Sequence, residues 1–409
     1  MLAMSLVVLM ACDKNGQDPE TPVIKKNKEF VPVVLTKVQE DVMQKTNSFG
    51  LDVFAELLKN EVETVGKNMM ISPLSLSSAL SMCVNGADGI TEEQMLDVMG
   101  YGSFTVDEMN SFYEVMLDAL VRADEKVDFL SANSIWHLKG ISLYDSYKEN
   151  VLKTFFADIE EVDEFNADAG NRINEWCSKK TYGKIPKFIE SDKDKGVVKL
   201  INALYFKGDW TEPFDQPKKK VFNHENGSVS QIETISDLRM MNYSEAENFQ
   251  CVEIPYGNCA FVMDLILPSK YMSMKEAAVA LATGVWDNLV CSMEKENVIL
   301  KFPVFDIKYR KDLGEILINL GMSSAFVDAD FSKMSPTNLA ISQVMQKTVI
   351  SVTEKGSEAA GVTDVNMEVM APEDGTGGEK VITFIADRPF FFMIRESSTG
   401  TILFLGKKA

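Results

Sequence analysis

The chain has 409 residues, with 41 Lys+Arg against 61 Asp+Glu for a formal net charge of −20, and only two histidines, His137 and His224. So acidic a chain lacks the basic footprint that nucleic acid, a heparin-like polymer or anionic lipid requires. Two histidines nearly exclude a multi-histidine zinc or di-iron site and leave few candidates for the general base of a Ser-His or Cys-His hydrolase.

Residues 1–11 (MLAMSLVVLMA) are apolar and uncharged. The run has the length of a signal-peptide core and is too short to span a bilayer. It ends Leu9-Met10-Ala11-Cys12, which is similar to a bacterial lipoprotein signal, where the cysteine becomes the lipid-bearing N-terminus. A plain signal peptide with an incidental Cys12, or a start at Met4, are the other readings. Residues 12–45 then read as a lipid-anchored tether, polar at its start and carrying Pro19, Pro22 and Pro32. Within it, 30–38 (FVPVVLTKV) is apolar enough to dock on a body that begins at Thr46. The remaining cysteines (Cys83, Cys177, Cys251, Cys259 and Cys291) are odd in number and form no C-x-x-C pair, so buried free thiols are expected.

Apolar spacing predicts a helix over 47–60, through Phe49, Val53, Phe54, Leu57 and Leu58. A second helix follows Ser72-Pro73, with Ser72 as cap and Pro73 in the first turn. Further helices are expected at 91–100, 107–123, 145–157 and 169–180. The second half is rich in strand formers: 197–206, 252–254, 260–267, 298–305, 341–352, 381–385, 389–395 and 401–405. Helices early and strands late, without alternation, predict one large α+β domain with antiparallel sheets.

The segment 354–380 (EKGSEAAGVTDVNMEVMAPEDGTGGEK) stands apart. Its odd positions from Ser357 to Val369 are all small, apolar or threonine, and its even positions are mostly polar in the middle. A period of two over fourteen residues describes a strand with one buried face. No proline interrupts it before Pro372. Yet Ser357 to Thr363 is poor in bulky strand formers, and Ala371 to Lys380 is a glycine-rich acidic loop. On pattern alone, a plain hairpin with a long loop and a segment able to be a buried strand but not compelled to be one both fit.

Glu354-Lys355-Gly356-Ser357-Glu358-Ala359-Ala360-Gly361-Val362-Thr363 resembles the hinge of the reactive-centre loop of inhibitory serpins. The resemblance covers about 46–409 and includes Ser72-Pro73-Leu74-Ser75, Asn202-Ala203-Leu204-Tyr205-Phe206, Asp387-Arg388-Pro389-Phe390 and Leu403-Phe404-Leu405-Gly406. It implies a serpin fold with three β-sheets and an exposed loop at about 354–383. It also implies a suicide inhibitor of serine-type endopeptidases rather than an enzyme. The peptidase would cleave the loop, be held as an acyl-enzyme, and be trapped when the loop inserts as a new strand. Counting from Glu354 puts the cleaved bond at Met370-Ala371, with Val369 and Met367 as alternatives because Ala371 to Pro389 is long for the family. Met370 suits elastase-, chymotrypsin- or subtilisin-like pockets. Ser72, Ser75 and Asn202 match the polar shutter of the main sheet; Gln346 stands where the family commonly has histidine. Trp210 matches the tryptophan of the breach.

No metal and no cofactor are expected; the resemblance implies a monomer that forms a covalent complex with a serine or cysteine peptidase, and the membrane is met through the lipid anchor alone. Export to a bacterial envelope or extracellular space follows from the signal. His137 and His224 are expected to be structural, and Lys218-Lys219-Lys220 a solvated face. The rival functions are a non-inhibitory serpin that binds or carries a ligand, and a surface adhesion lipoprotein.

Overall fold

The computed structural model describes residues 25–183, 185–189, 196–357 and 380–409. Cys12, the hinge residues Glu358, Ala359, Ala360, Gly361, Val362 and Thr363, and the candidate bond residues Met367, Val369, Met370 and Ala371 lie outside them.

Among the described residues the helices are α1 (Lys37–Leu58), α2 (Glu61–Thr64), α3 (Pro73–Val84), α4 (Gly89–Val98), α5 (Val106–Arg122), α6 (Asp145–Phe155), α7 (Ala167–Lys180), α8 (Met274–Ala280), α9 (Trp286–Cys291) and α10 (Gly314–Asn319). The main sheet has six strands, in the order β10 (Phe305–Asp312), β11 (Met345–Val352), β12 (Gly356–Ser357), β4 (Val198–Asp209), β2 (Val127–Leu138) and β3 (Asp158–Val162). The other strands run β1 (Met69–Ile71), β15 (Ile402–Lys408), β14 (Phe390–Glu396), β8 (Phe261–Pro268), β7 (Phe249–Tyr256), β6 (Val229–Ala246), β9 (Glu294–Pro303) and β13 (Val381–Ile385), with β5 (Lys218–Asn223) beside β6. This nine-stranded assembly is two sheets that share β6. Its early residues pair with β5, its middle with β9, and its last five with β7.

The α+β architecture matches the expectation, and so do most helix positions. The boundary of the body does not. α1 starts at Lys37, nine residues before Thr46, closed by a capping box in which Thr36 and Gln39 satisfy each other's amides. Residues 25–35 lie against the body instead of forming a free tether. Lys26 Nζ donates to the Val127 carbonyl and pairs with Asp128, both at 2.8 Å. Asn27 exchanges backbone bonds with Arg122 and Glu125, and Val33 N–H donates to Ser398 Oγ. The docking expected of 30–38 is seen at Val33 and Leu35, whose apolar side chains pack on the core, although the prolines argue for a tether.

The strands at 158–162, 218–223, 229–246 and 305–312 were not foreseen, and of the strand at 127–138 only the run around Trp136 and His137 reads as strand-like. β2 is buried on both faces over Asn133 to Trp136, so it shows no clean alternation to read. Cys83, Cys177 and Cys251 are buried as expected, whereas Cys259 and Cys291 are exposed, because they sit in a tight turn and at a helix end.

Candidate functional site

The site is the slot in the main sheet between β4 and β11. At its upper end the slot is already occupied. Gly356 and Ser357 form β12, with Gly356 opposite Asp209, and Ser357 opposite Gly208 on one side and Val352 on the other. Ser357 is fully buried, and its hydroxyl meets the Tyr256 hydroxyl at 2.6 Å. Burial holds the Tyr256 phenol neutral far above its ordinary range, so this bond does not change near neutral pH.

A tight turn delivers the hinge. The Thr353 N–H and hydroxyl both donate to the Gly356 carbonyl. Gly356 has φ +153, and a Cβ there would overlap the Gly208 carbonyl oxygen and sit 2.6 Å from Asp209 Cα. Only glycine fits while the hinge is in place. Trp210 holds the turn in place. Its indole N–H donates to the Thr353 carbonyl, its backbone N–H to the Lys355 carbonyl, and its ring stacks on Tyr256 at 4.3 Å. Phe214 N–H donates to the Glu354 carbonyl. The expected breach tryptophan is therefore bonded directly to the hinge.

At its foot the slot is open. A cavity of about 390 Å³ separates the two strands, lined by Val198 and Asn202 of β4, by Ser342, Val344 and Gln346 on the other side, and by Leu80 of α3 beneath. Cys83 also lines it, with burial pushing its thiol up to about 12, so it stays protonated and unreactive.

Ser72, Ser75, Asn202 and Gln346 come together at the top of this cavity. Gln346 Oε1 accepts from the Ser72 N–H at 2.9 Å, and Gln346 Nε2 donates to the Ser72 carbonyl at 3.0 Å. Ser75 N–H donates to Ser72 Oγ, and the Ser75 hydroxyl to Asn202 Oδ1. Asn202 Nδ2 continues to Asn133 Oδ1 at 2.6 Å, and Asn133 Nδ2 to the Phe155 carbonyl at 2.8 Å. This relay links β11 to β4 and β2 by way of the start of α3. All five side chains are buried, so each broken bond leaves a costly orphan. Asn133 and Tyr256 were missed as site residues. Neither carries a local signal, since each acts through a partner far away in sequence.

The histidines stand apart from this site. His137 lies half-buried on β2, its Nδ1 near the Leu138 carbonyl, and His224 bridges Ser230 and the C-terminal residue Ala409. Lys218, Lys219 and Lys220 are exposed on β5, as expected. Among the described residues no group of three or more His, Cys, Asp or Glu could hold a metal ion, and no helix is long and apolar enough to cross a membrane.

The family model described as Serpin (serine protease inhibitor) matches residues 44–409. This chain is a serpin. It is 32% identical over 382 residues to an uncharacterized serpin-like protein of Thermococcus kodakarensis, covering 91% of this chain and 87% of that one. It is 31% identical over 380 residues to Intracellular coagulation inhibitor 2 of Tachypleus tridentatus, covering 90% of each. Among solved structures, the native thermophilic serpin tengpin superposes with a TM-score of 0.81 at 28% identity, over 94% of this chain and 97% of that one. Serpin48 of the insect Tenebrio molitor gives 0.76 at 27% identity, over 90% and 97%. The family is described by inhibition of serine proteases, not by catalysis.

Proposed function

We propose that this serpin inhibits serine-type endopeptidases by acting as a suicide substrate, with Met370-Ala371 as the cleaved bond. The observation that carries the reading is the contrast within the slot: hinge paired at the top, cavity at the foot. Extending the β12 register gives the inserted strand. Each step forward along the loop is a step back along both neighbours. Thr363 then falls opposite Asn202 and Gln346, Val365 opposite Leu200 and Val344, and Met367 opposite Val198 and Ser342. Residues directly opposite in an antiparallel ladder share a face. The small and apolar odd positions of the loop thus enter the cavity, and Thr363 meets the polar relay with a hydroxyl.

In the reaction, the serine of the peptidase attacks the Met370 carbonyl, an ester forms, and the amine of Ala371 departs. The loop is then free at one end. Fourteen residues at about 3.3 Å each insert over roughly 46 Å, carrying the peptidase to the opposite pole before water reaches the ester. Strand pairing and apolar burial drive the step. No Lys or Arg occurs from Gly356 to Gly378, so elastase-, chymotrypsin- or subtilisin-like targets suit the loop better than trypsin-like ones.

Mixing the protein with pancreatic elastase, chymotrypsin and subtilisin should give an adduct that survives SDS. Sequencing the released fragment should begin at Ala371. Cleavage without an adduct by all serine and cysteine peptidases tried rejects the inhibitor reading, and a fragment beginning at Met370 or Glu368 moves the bond to Val369 or Met367. We further propose export and lipid attachment at Cys12. Radiolabelled palmitate should label the wild type and not Cys12→Ala; equal labelling, or none, removes the anchor.

A further inference from the structure

A second cavity shares no residue with the slot. Its volume is about 630 Å³, within the range of sites that take drug-sized ligands. Proline opens it. Phe391 of β14 pairs with Ile266 of β8, so Pro389 falls opposite Pro268. Neither has an N–H to give, and the ladder ends there. The Arg388 side chain makes the link instead, with Nη2 donating to the Pro268 carbonyl at 2.9 Å. Both prolines line the cavity, together with Leu58, Val65, Met272 and Met274.

The charged groups of the wall are answered, with one exception. Glu225 is paired with the buried Lys407 at 2.7 Å and accepts the Gly66 N–H. Asp387 is paired with Arg388 at 3.3 Å. Lys275 is likewise engaged. Lys270 is exposed and has no carboxylate partner among the described residues; its ammonium sits over the ring of its neighbour Tyr271. The result is an apolar hole with one unanswered cation at its rim, on a chain of net charge −20.

We propose that this cavity binds a small amphipathic carboxylate. The apolar body lies against Leu58, Val65, Met272 and Met274, and the carboxylate meets Lys270. The two methionines, flexible and polarizable, let the wall fit bodies of different shape. Occupancy has a structural consequence. Among the described residues β13 is an edge strand, held by β9 alone. Its exit is fixed beside the cavity, where the Asp387 carbonyl accepts the Asn223 backbone N–H at 2.8 Å and the Asn223 side-chain N–H at 3.1 Å. A ligand that joins this connector to the end of α1 braces the strand. The binding does not rest on the inhibitor reading.

The probes are decanoate and its uncharged counterpart 1-decanol, titrated into the full chain by calorimetry. One decanoate should bind per chain, and at ten times its dissociation constant the thermal midpoint should rise by about 2 °C. Decanol should bind about tenfold more weakly. Lys270→Glu should weaken decanoate about tenfold and leave decanol unchanged. Val65→Trp fills the hole from a position 43% exposed and should weaken both. Hydrogen exchange at 386–390 should slow when decanoate is bound. Unliganded midpoints within about a degree of wild type exclude misfolding as the cause, and Lys270→Gln replaces Lys270→Glu if that variant melts early. No saturable binding overturns the site. So does decanoate affinity within twofold of wild type in both variants, because the probe then sits elsewhere, the slot cavity included. Weakening by Val65→Trp alone overturns the carboxylate assignment.

Discussion

The two ends of the slot are built from the same strands and are in opposite states. At the top, β4 and β11 are joined through Gly356 and Ser357, with Trp210 and Tyr256 bonded to the hinge. At the foot, the same strands flank a cavity of about 390 Å³ and are linked across it through Ser72 and Ser75. In terms of the proposed inhibition, this is an insertion started and stopped. The costly first step, registering the loop between two strands, is already taken, and apolar burial remains to be gained lower down. A strand that extends an existing register avoids the loop-closure entropy of finding it.

The largest effect is expected at the filled end. Ser357→Arg places a charge with no partner in a fully buried site, so the protein should be cut by its target and yield no SDS-stable adduct. A persistent adduct contradicts the register. Gly356→Ala adds a Cβ against the Gly208 carbonyl at φ +153, a strain of about 1–3 kcal/mol. The hinge should leave the slot, shift Trp210 fluorescence and become open to non-target proteases. An unchanged digestion pattern removes the claim that glycine is required there.

The open end is tested next. Gln346→Leu removes the bonds to both backbone groups of Ser72 and should lower the stability of the uninserted form by about 1–3 kcal/mol. Spontaneous insertion should speed up accordingly, read as a loss of active inhibitor on warming. Tyr256→Phe deletes one hydroxyl contact to Ser357 and should cost about 1 kcal/mol, read by faster hydrogen exchange of the hinge amides. No change in exchange there detaches Tyr256 from the hinge.

The smallest effect concerns pH. Gln346 does not titrate, so neither end of the slot should respond between about pH 5 and 7. A response does belong elsewhere. Asp264, fully buried on β8 against Arg395, has its carboxyl raised by burial from 3.8 to about 6. The folded protein holds that proton more tightly than the unfolded chain. The associated stabilisation is complete below about pH 4 and is lost as pH rises through about 6. Asp264→Asn should flatten this slope in thermal melts. A steep dependence that survives Asp264→Asn and His137 and His224 replacement returns titration to the slot.

Much of this could be read from the chain itself. The period of two from Ser357 to Val369 reads as a strand with one buried face, its insertion being what the resemblance implies, and Ser357, the first residue of that run, pairs with Gly208 and Val352. Ser72, Ser75, Asn202 and Gln346 were picked by resemblance and do meet in one relay. Asn133 and Tyr256 were not legible, because each acts through a partner supplied by sheet pairing about 70 to 100 residues away. The N-terminal boundary failed for a different reason. Prolines at 19, 22 and 32 are a local signal for an extended chain, whereas docking depends on a surface formed by Arg122 to Asp128 and Ser398.

That docked arm sets a geometric limit. Lys26 is fixed to Val127, and Val127, Gly208 and Ser357 lie in one row across the main sheet. Lys26 of the arm and Ser357 of the hinge therefore lie at the same end of the main sheet. If lipid is attached at Cys12, the thirteen residues 12–24 give a leash of at most about 45 Å. An anchored molecule would hold its bait toward the bilayer and not away from it. Candidate targets would then be filtered by headroom, with small peptidases at the cell surface caught and large assemblies passed over, whatever their preference for methionine.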